Sequence, residues 1–179
     1  MIAYASIVAH HAARRSPENR LSMSPTLAST PQVRGCTCFK LRRLTRRVTQ
    51  HYDRELAPAG LRVTQFSLLS ALAARDAVPM SELADMLDLD RTTLTRNVAP
   101  LEARGFVEIG PGADARSRTA RITAAGRAAR EGALPHWRRA QATVTNVLGA
   151  GRVASLHDLL DEALGALRSA ESDVAGARS

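Results

Sequence analysis

The sequence predicts a mainly α-helical protein with one small β-hairpin. Apolar residues recur at three- and four-residue steps through most of the chain from Phe39 onward, the spacing of helices buried on one face. The period switches to two only at Phe106–Ile109 and again at Thr119–Thr123, with Gly110-Pro111-Gly112 between them. A length of 179 residues suffices for one sizeable core and leaves no room for a second full-sized domain.

From Phe39 to Leu56, residues Leu41, Leu44, Val48, Tyr52 and Leu56 form an apolar stripe beside Arg42, Arg43, Arg46 and Arg47. Pro58 and Gly60 end this helix. Thr64 is the expected cap of a second helix, whose Phe66, Leu68, Leu69 and Leu72 predict burial on more than one side. A short Ala77–Met80 link then leads to a two-turn helix expected to be capped by Ser81 and to bury Leu83, Ala84 and Leu87. After the tight Asp88-Leu89-Asp90 connector, Asp90 caps a helix that buries Leu94, Val98 and Leu101 and is closed by Gly105, with Pro100 marking a bend. The two alternating segments then pair as a hairpin broken at 110–112. Helix resumes with Thr123 as cap and runs to about Leu148, with an interruption expected near Gly132–Pro135, where the missing donor kinks it, and with Trp137, Val144, Val147 and Leu148 on its apolar side. A last helix over 152–169 carries Val153, Leu156, Leu159, Leu160, Leu164 and Leu167.

Composition narrows the partners. Basic residues number 25 against 17 acidic, a formal charge of +8, and Lys40 is the only lysine, which favours a polyanionic partner. Six basic residues fall within 36–57, and seven within 90–127. The six aromatics, Tyr4, Phe39, Tyr52, Phe66, Phe106 and Trp137, are too few for a platform that stacks single-stranded bases. No run of about 18 apolar residues predicts a membrane span. Met1–Ala13 lacks a basic leader and a clear small-residue cleavage site, so the expectation is no signal peptide and a cytoplasmic location. Residues 1–35, rich in Ser, Pro, Ala and Arg, read as a flexible tail, within which Met23 offers a later start.

Two short helices joined by a three-residue connector and followed by a hairpin predict a winged helix-turn-helix. Setting aside the buried positions of the second helix leaves Arg91, Thr92, Thr93, Thr95, Arg96 and Asn97. Arg and Asn make bidentate hydrogen bonds to guanine and adenine edges, and Thr offers a hydroxyl and a methyl group. In the hairpin, Asp114, Arg116 and Arg118 alternate and Arg121 follows, placing arginines where a minor groove or backbone phosphates would lie. The competing reading is a solvated helix and a turn closed by a weak Asp114–Arg116 pair. The leucine-rich last helix lies outside this small core and predicts a partner surface shared with the first helix and the helix after the hairpin. The expected layout is a tail over 1–35, a helical dimerisation region over 36–57 and 124–169, a winged helix-turn-helix DNA-binding domain over 58–123, and a C-terminal tail over 170–179.

Residues 37–149 resemble the MarR (multiple antibiotic resistance regulator) family of winged-helix transcription factors. The resemblance rests on Leu61 to Leu69, Ser81 to Leu101, Gly105-Phe106-Val107, Asp114-x-Arg116 and Ile122-Thr123-x-x-Gly126. It implies that Asp114 and Arg116 are the loop residues that hold the wing and enter the minor groove, and that Arg91 to Asn97 supply the recognition-helix contacts. It further implies a homodimer on a pseudo-palindromic double-stranded operator, acting as a repressor released by a small ligand or by oxidation. Cys38-Phe39 is similar to the start of the first helix in the hydroperoxide-sensing branch, where that cysteine is the reactive thiol and Tyr52 matches a tyrosine bonded to it. Val63 stands where the branch has its second such tyrosine, and it cannot donate a hydrogen bond.

Cys36 and Cys38 are too close together to staple a fold, and a one-residue spacer strains an intrachain disulfide. Bonding to another subunit or to a small thiol is easier, and Arg42 and Arg43 beside a helix N-terminus favour the thiolate. A metal site from Cys36, Cys38 and His51 lacks a clear fourth ligand, so neither a metal nor a cofactor is expected. An inducer pocket would be lined by Leu44, Val48, Tyr52, Phe66 and Trp137. With no Cys-x-x-Cys and no Ser-His-Asp arrangement to place, an enzyme is not expected. Two rival functions stay open from the residues alone: a thiol-based redox or metal-binding sensor, and a helical interaction adaptor without specific DNA binding.

Overall fold

A computed structural model describes residues 35–75, 77–112 and 117–176. The elements are α1 (Thr37–Leu56), a 3-10 turn (Ala57–Ala59), α2 (Val63–Ala73), β1 (Val78–Pro79), α3 (Met80–Met86), α4 (Arg91–Ala103), β2 (Val107–Pro111), β3 (Arg118–Ile122), α5 (Ala124–Leu148) and α6 (Ala150–Gly176). The mainly α winged-helix fold with a small sheet is the one the residues predict. Apart from Gly35, the expected tail over 1–35 lies outside the described residues. No described helix is long and apolar enough to cross a membrane.

The chain divides within α1 into a unit ending at Thr45 and a unit from Arg46 to Ser179. In the first, Leu41 and Leu44 are exposed, and the Arg43 guanidinium lies 5.4 Å from the Phe39 ring centroid as a cation–π contact.

The second unit is built around leucines. Leu56, Leu69, Leu83, Leu94 and Leu101 have no accessible surface, and each such side chain contributes about 1.5–3 kcal/mol on leaving water. Gly60, with φ of 68°, ends the turn after α1, and its amide donates to Ala57 O at 2.9 Å. The α2 amides are not met by Thr64 as expected. The Val63 amide donates to Asp53 Oδ1 at 2.8 Å, and the Arg62 amide to Gln65 Oε1 at 3.0 Å, so carbonyl and carboxylate oxygens from outside the expected cap fill that role. Ser81 does not cap α3 either: that helix begins at Met80 behind Pro79, with no side-chain cap.

The expected hairpin forms and is longer than predicted. Pairing runs from Val107↔Ile122 to Pro111↔Arg118, through Gly110 and Pro111 rather than stopping before them. β2 is an edge strand, where a proline without an amide proton is tolerated. A third strand, β1, pairs antiparallel with β3 at Val78↔Ala120, giving the order β1-β3-β2. Two residues, one of them proline, carry no alternation from which to predict it.

Both internal prolines sit in unbroken helices, so α5 is continuous across the expected interruption. Pro135 leaves the Glu131 carbonyl without its helical donor, and that turn is exposed, so water can replace the bond. The fully buried residues of α5 are Gly126, Ala133 and Ala140, at seven-residue steps; of the large residues predicted, Trp137 packs half-buried against the core, while Val147 is exposed. Small side chains let the neighbouring helices approach closely: Phe66 of α2 stacks on Trp137 at 5.8 Å, Arg130 Nε donates to Ser70 Oγ at 3.1 Å, and the Tyr52 hydroxyl donates to Gln141 Oε1. Partial burial raises the Tyr52 pKa, so its hydroxyl remains the donor in that pair. α6 runs to Gly176, past the predicted end at 169. Val153 is its buried anchor, while Leu159, Leu164, Leu167 and Val174 are exposed.

Candidate nucleic-acid interface

The start of α4 is fixed by its cap. The Thr93 hydroxyl and amide donate to the Asp90 carboxylate at 2.6 and 2.9 Å, and these bonds hold the Asp90 pKa below its ordinary value. A lowered folded pKa means that the cap stabilises above the ordinary carboxylate pKa and is lost as pH falls through the lower folded value. The protection factor of the Thr93 amide, its exchange rate relative to the unstructured rate at the same pH, should therefore fall on acidification through that range, and in Asp90→Ala already at neutral pH. Undiminished protection of Thr93 in that variant would show that the cap contributes nothing.

The far end closes as a Schellman motif. Gly105, with φ of 68°, donates its amide to Glu102 O at 2.8 Å, and the Phe106 amide donates to Leu101 O at 2.9 Å. The same corner holds the hairpin to α5. The Thr123 hydroxyl donates to Gly105 O at 2.6 Å and accepts the Gly126 amide at 3.0 Å, while the Thr123 amide donates to Phe106 O at 3.0 Å. A Cβ on Gly126 would lie 2.1 Å from Phe106 O, so only glycine fits beneath that carbonyl.

Anchored on Leu94, Val98 and Leu101, α4 exposes Arg91, Thr92, Thr95 and Arg96, with Thr93 and Asn97 half-buried. Thr93 is engaged with Asp90, and the Thr95 hydroxyl donates to Arg91 O at 2.8 Å. The side chains of Arg91, Thr92, Arg96 and Asn97 have no hydrogen-bond or ion-pair partner among the described residues. Arg118, the first residue of β3, is exposed, and Arg121 pairs in register with Glu108. Asp114 and Arg116 lie outside the described residues.

A groove of about 740 Å³ between α3, α4 and the hairpin brings parts of this set together. Its apolar lining includes Ala84, Leu89, Val98 and Ile109; Arg91, Thr95 and Arg118 share it, with Asp85 and Glu102 also present. Ser81 lines it too, its hydroxyl not engaged in capping. A serine before an apolar run reads as a cap, which is why its place in the groove was not legible.

The MarR family model matches residues 59–117. The transcriptional regulator MosR of M. tuberculosis, solved in complex with DNA, is 43% identical over 74% of this chain and 98% of its own, with a TM-score of 0.66. The chain belongs to the MarR family. It is a DNA-binding transcriptional regulator, not an enzyme. The transcriptional repressor CouR bound to a 23-mer DNA duplex is 26% identical over 75% of this chain and 96% of its own, with a TM-score of 0.67. A MarR-family regulator from Rhodococcus sp. RHA1 is 26% identical over 69% and 88%, with a TM-score of 0.62. No curated protein sequence matches the chain.

The remaining candidates are not among the residues that line the groove. Cys36 and Cys38 are free and exposed. The Tyr52 hydroxyl is engaged with Gln141, and His51 Nε2 pairs with Ala140 O at 3.2 Å. Tyr52 and Phe66 are buried, Val48 and Trp137 half-buried, Leu44 is exposed, and none of these five lines the groove.

Proposed function

We propose that the protein is a homodimeric, sequence-specific repressor that reads a pseudo-palindromic operator and is released by a small ligand or by thiol oxidation. The observation that carries this reading is the shared groove, which Arg91 and Thr95 of α4 line together with Arg118 of the hairpin. A major groove admits α4, with Arg91, Thr92, Thr93, Thr95, Arg96 and Asn97 toward base edges, while Asp114, Arg116 and Arg118 serve the adjacent minor groove and backbone. Two copies would place their half-sites about 10–10.5 base pairs, one helical turn, apart.

Dimerisation is supported by the exposed leucines of α6, since a long helix with Leu159, Leu164 and Leu167 in water lacks a cover. Repression is supported by the likeness to CouR, itself a transcriptional repressor. A ligand would enter beside the winged core, in the region of Val48, Tyr52, Phe66 and Trp137.

Arg118→Ala should weaken binding to every duplex alike and reduce the slope of log affinity against log salt by about one, the signature of a lost phosphate contact. A parent-like slope would remove Arg118 from the interface. For release by oxidation, a hydroperoxide converts a thiolate to sulfenic acid, which condenses with a second thiol to a disulfide and water. The parent should then lose DNA affinity on peroxide treatment and recover it with reductant, while a Cys36→Ser, Cys38→Ser double variant should not respond. Equal loss in both proteins would exclude the thiol route.

A further inference from the structure

We propose that Arg168, near the C-terminal end of α6, is a positioning residue for the reading head, acting through an ion pair with Asp88. The inference rests on α4 reading DNA as proposed above. Arg168 Nη2 lies 3.0 Å from Asp88 Oδ1, and among the described residues no other ion pair joins α6 to another element. Asp88 is in the connector between α3 and α4, and it is the only described residue other than glycine with positive φ, at 55°.

The two aspartates of the connector do different work. Asp90 turns its carboxylate inward along the chain to cap α4. The backbone around Asp88 closes α3, with the Asp88 amide donating to Asp85 O at 3.3 Å and the Leu89 amide to Ala84 O at 2.9 Å. Its carboxylate takes no part in that closure and reaches α6 instead. Asp and Asn tolerate the left-handed region where most residues do not, so the connector keeps this conformation at modest cost and the ion pair adds a tether from outside the motif. Leu89 lines the groove one residue further on, and α4 starts at Arg91. Any displacement of α6 is thereby felt two residues before the α4 cap. The exposed leucines Leu164 and Leu167 precede Arg168 by four residues and by one, so the surface proposed for the second copy and the tether lie on the same helix segment.

The test is a double-mutant cycle of Arg168→Ala and Asp88→Asn on the full chain, read as affinity for the duplex flanking its own gene and for an unrelated duplex. Asparagine keeps the left-handed connector while removing the charge. Arg168→Ala should lower the preference for the flanking duplex about three- to fivefold in the parent background and leave it nearly unchanged beside Asp88→Asn, the size expected of an exposed pair. Arg168→Lys should restore most of the loss, and the effect should shrink with added salt as exposed charges are screened. Equal loss on both duplexes, or additive effects in the cycle, would overturn the tether and leave the regulator intact. A parent protein without preference for any operator would overturn the DNA-reading proposal itself, and this inference with it.

Discussion

Gly126→Ala should destabilise the winged unit by about 3 kcal/mol, at the upper end of what overpacking a well-filled site costs. The added methyl would meet Phe106 O at 2.1 Å and Ile122 Cγ1 at 2.9 Å. The first of these is a backbone oxygen that already accepts the Thr123 amide, so it cannot retreat without opening the joint between hairpin and α5. Gly132, in the same helix, is the control. Nothing lies within 4 Å of its added Cβ, so Gly132→Ala should be neutral or stabilise by up to about 1 kcal/mol through helix propensity. Urea unfolding of both variants measures the contrast. A Gly126→Ala protein as stable as its parent would contradict the close approach at this corner.

Arg96→Ala should cost about 1–3 kcal/mol of discrimination between the preferred base and its alternatives, with a much smaller loss on unrelated duplex. Arg96 is exposed on α4 and has no partner among the described residues, so its removal leaves the fold untouched and isolates recognition. Binding titrations on an operator and on single-base variants read the effect. Uniform weakening on all duplexes would reassign Arg96 to a phosphate.

These two residues also mark what was legible in the sequence. The caps of α4 were readable because Asp90 and Gly105 act on residues three positions away or fewer, and the local rules for those positions are strong. The buried face of α4 was readable because Leu94, Val98 and Leu101 hold one period. The α2 cap was not, since Asp53 reaches Val63 from the preceding helix and no local pattern encodes that approach. The same limit hid β1, which exists only because β3 offers it a partner at Ala120. In α5 the Thr123-x-x-Gly126 pattern was legible, whereas Ala133 and Ala140 carry no apolar periodicity that marks them as buried, because close helix approach selects small side chains there. The candidate reading face followed from subtracting the buried positions, but its meeting with Arg118 in one groove depends on tertiary packing. The Asp88–Arg168 pair had no sequence signal at all, spanning most of the winged unit and the helix beyond it.

The central claim is that a dimer of this chain reads a specific duplex through α4 and the hairpin. Its most direct test is a fluorescence-anisotropy titration of the reduced protein onto the DNA flanking its own gene, with excess unrelated DNA, a salt series and the stoichiometry read at saturation. Two protomers per site, with tight binding that resists competitor and falls steeply with salt, is the predicted result. Binding no tighter than to unrelated DNA, across all of that flanking sequence, would contradict it.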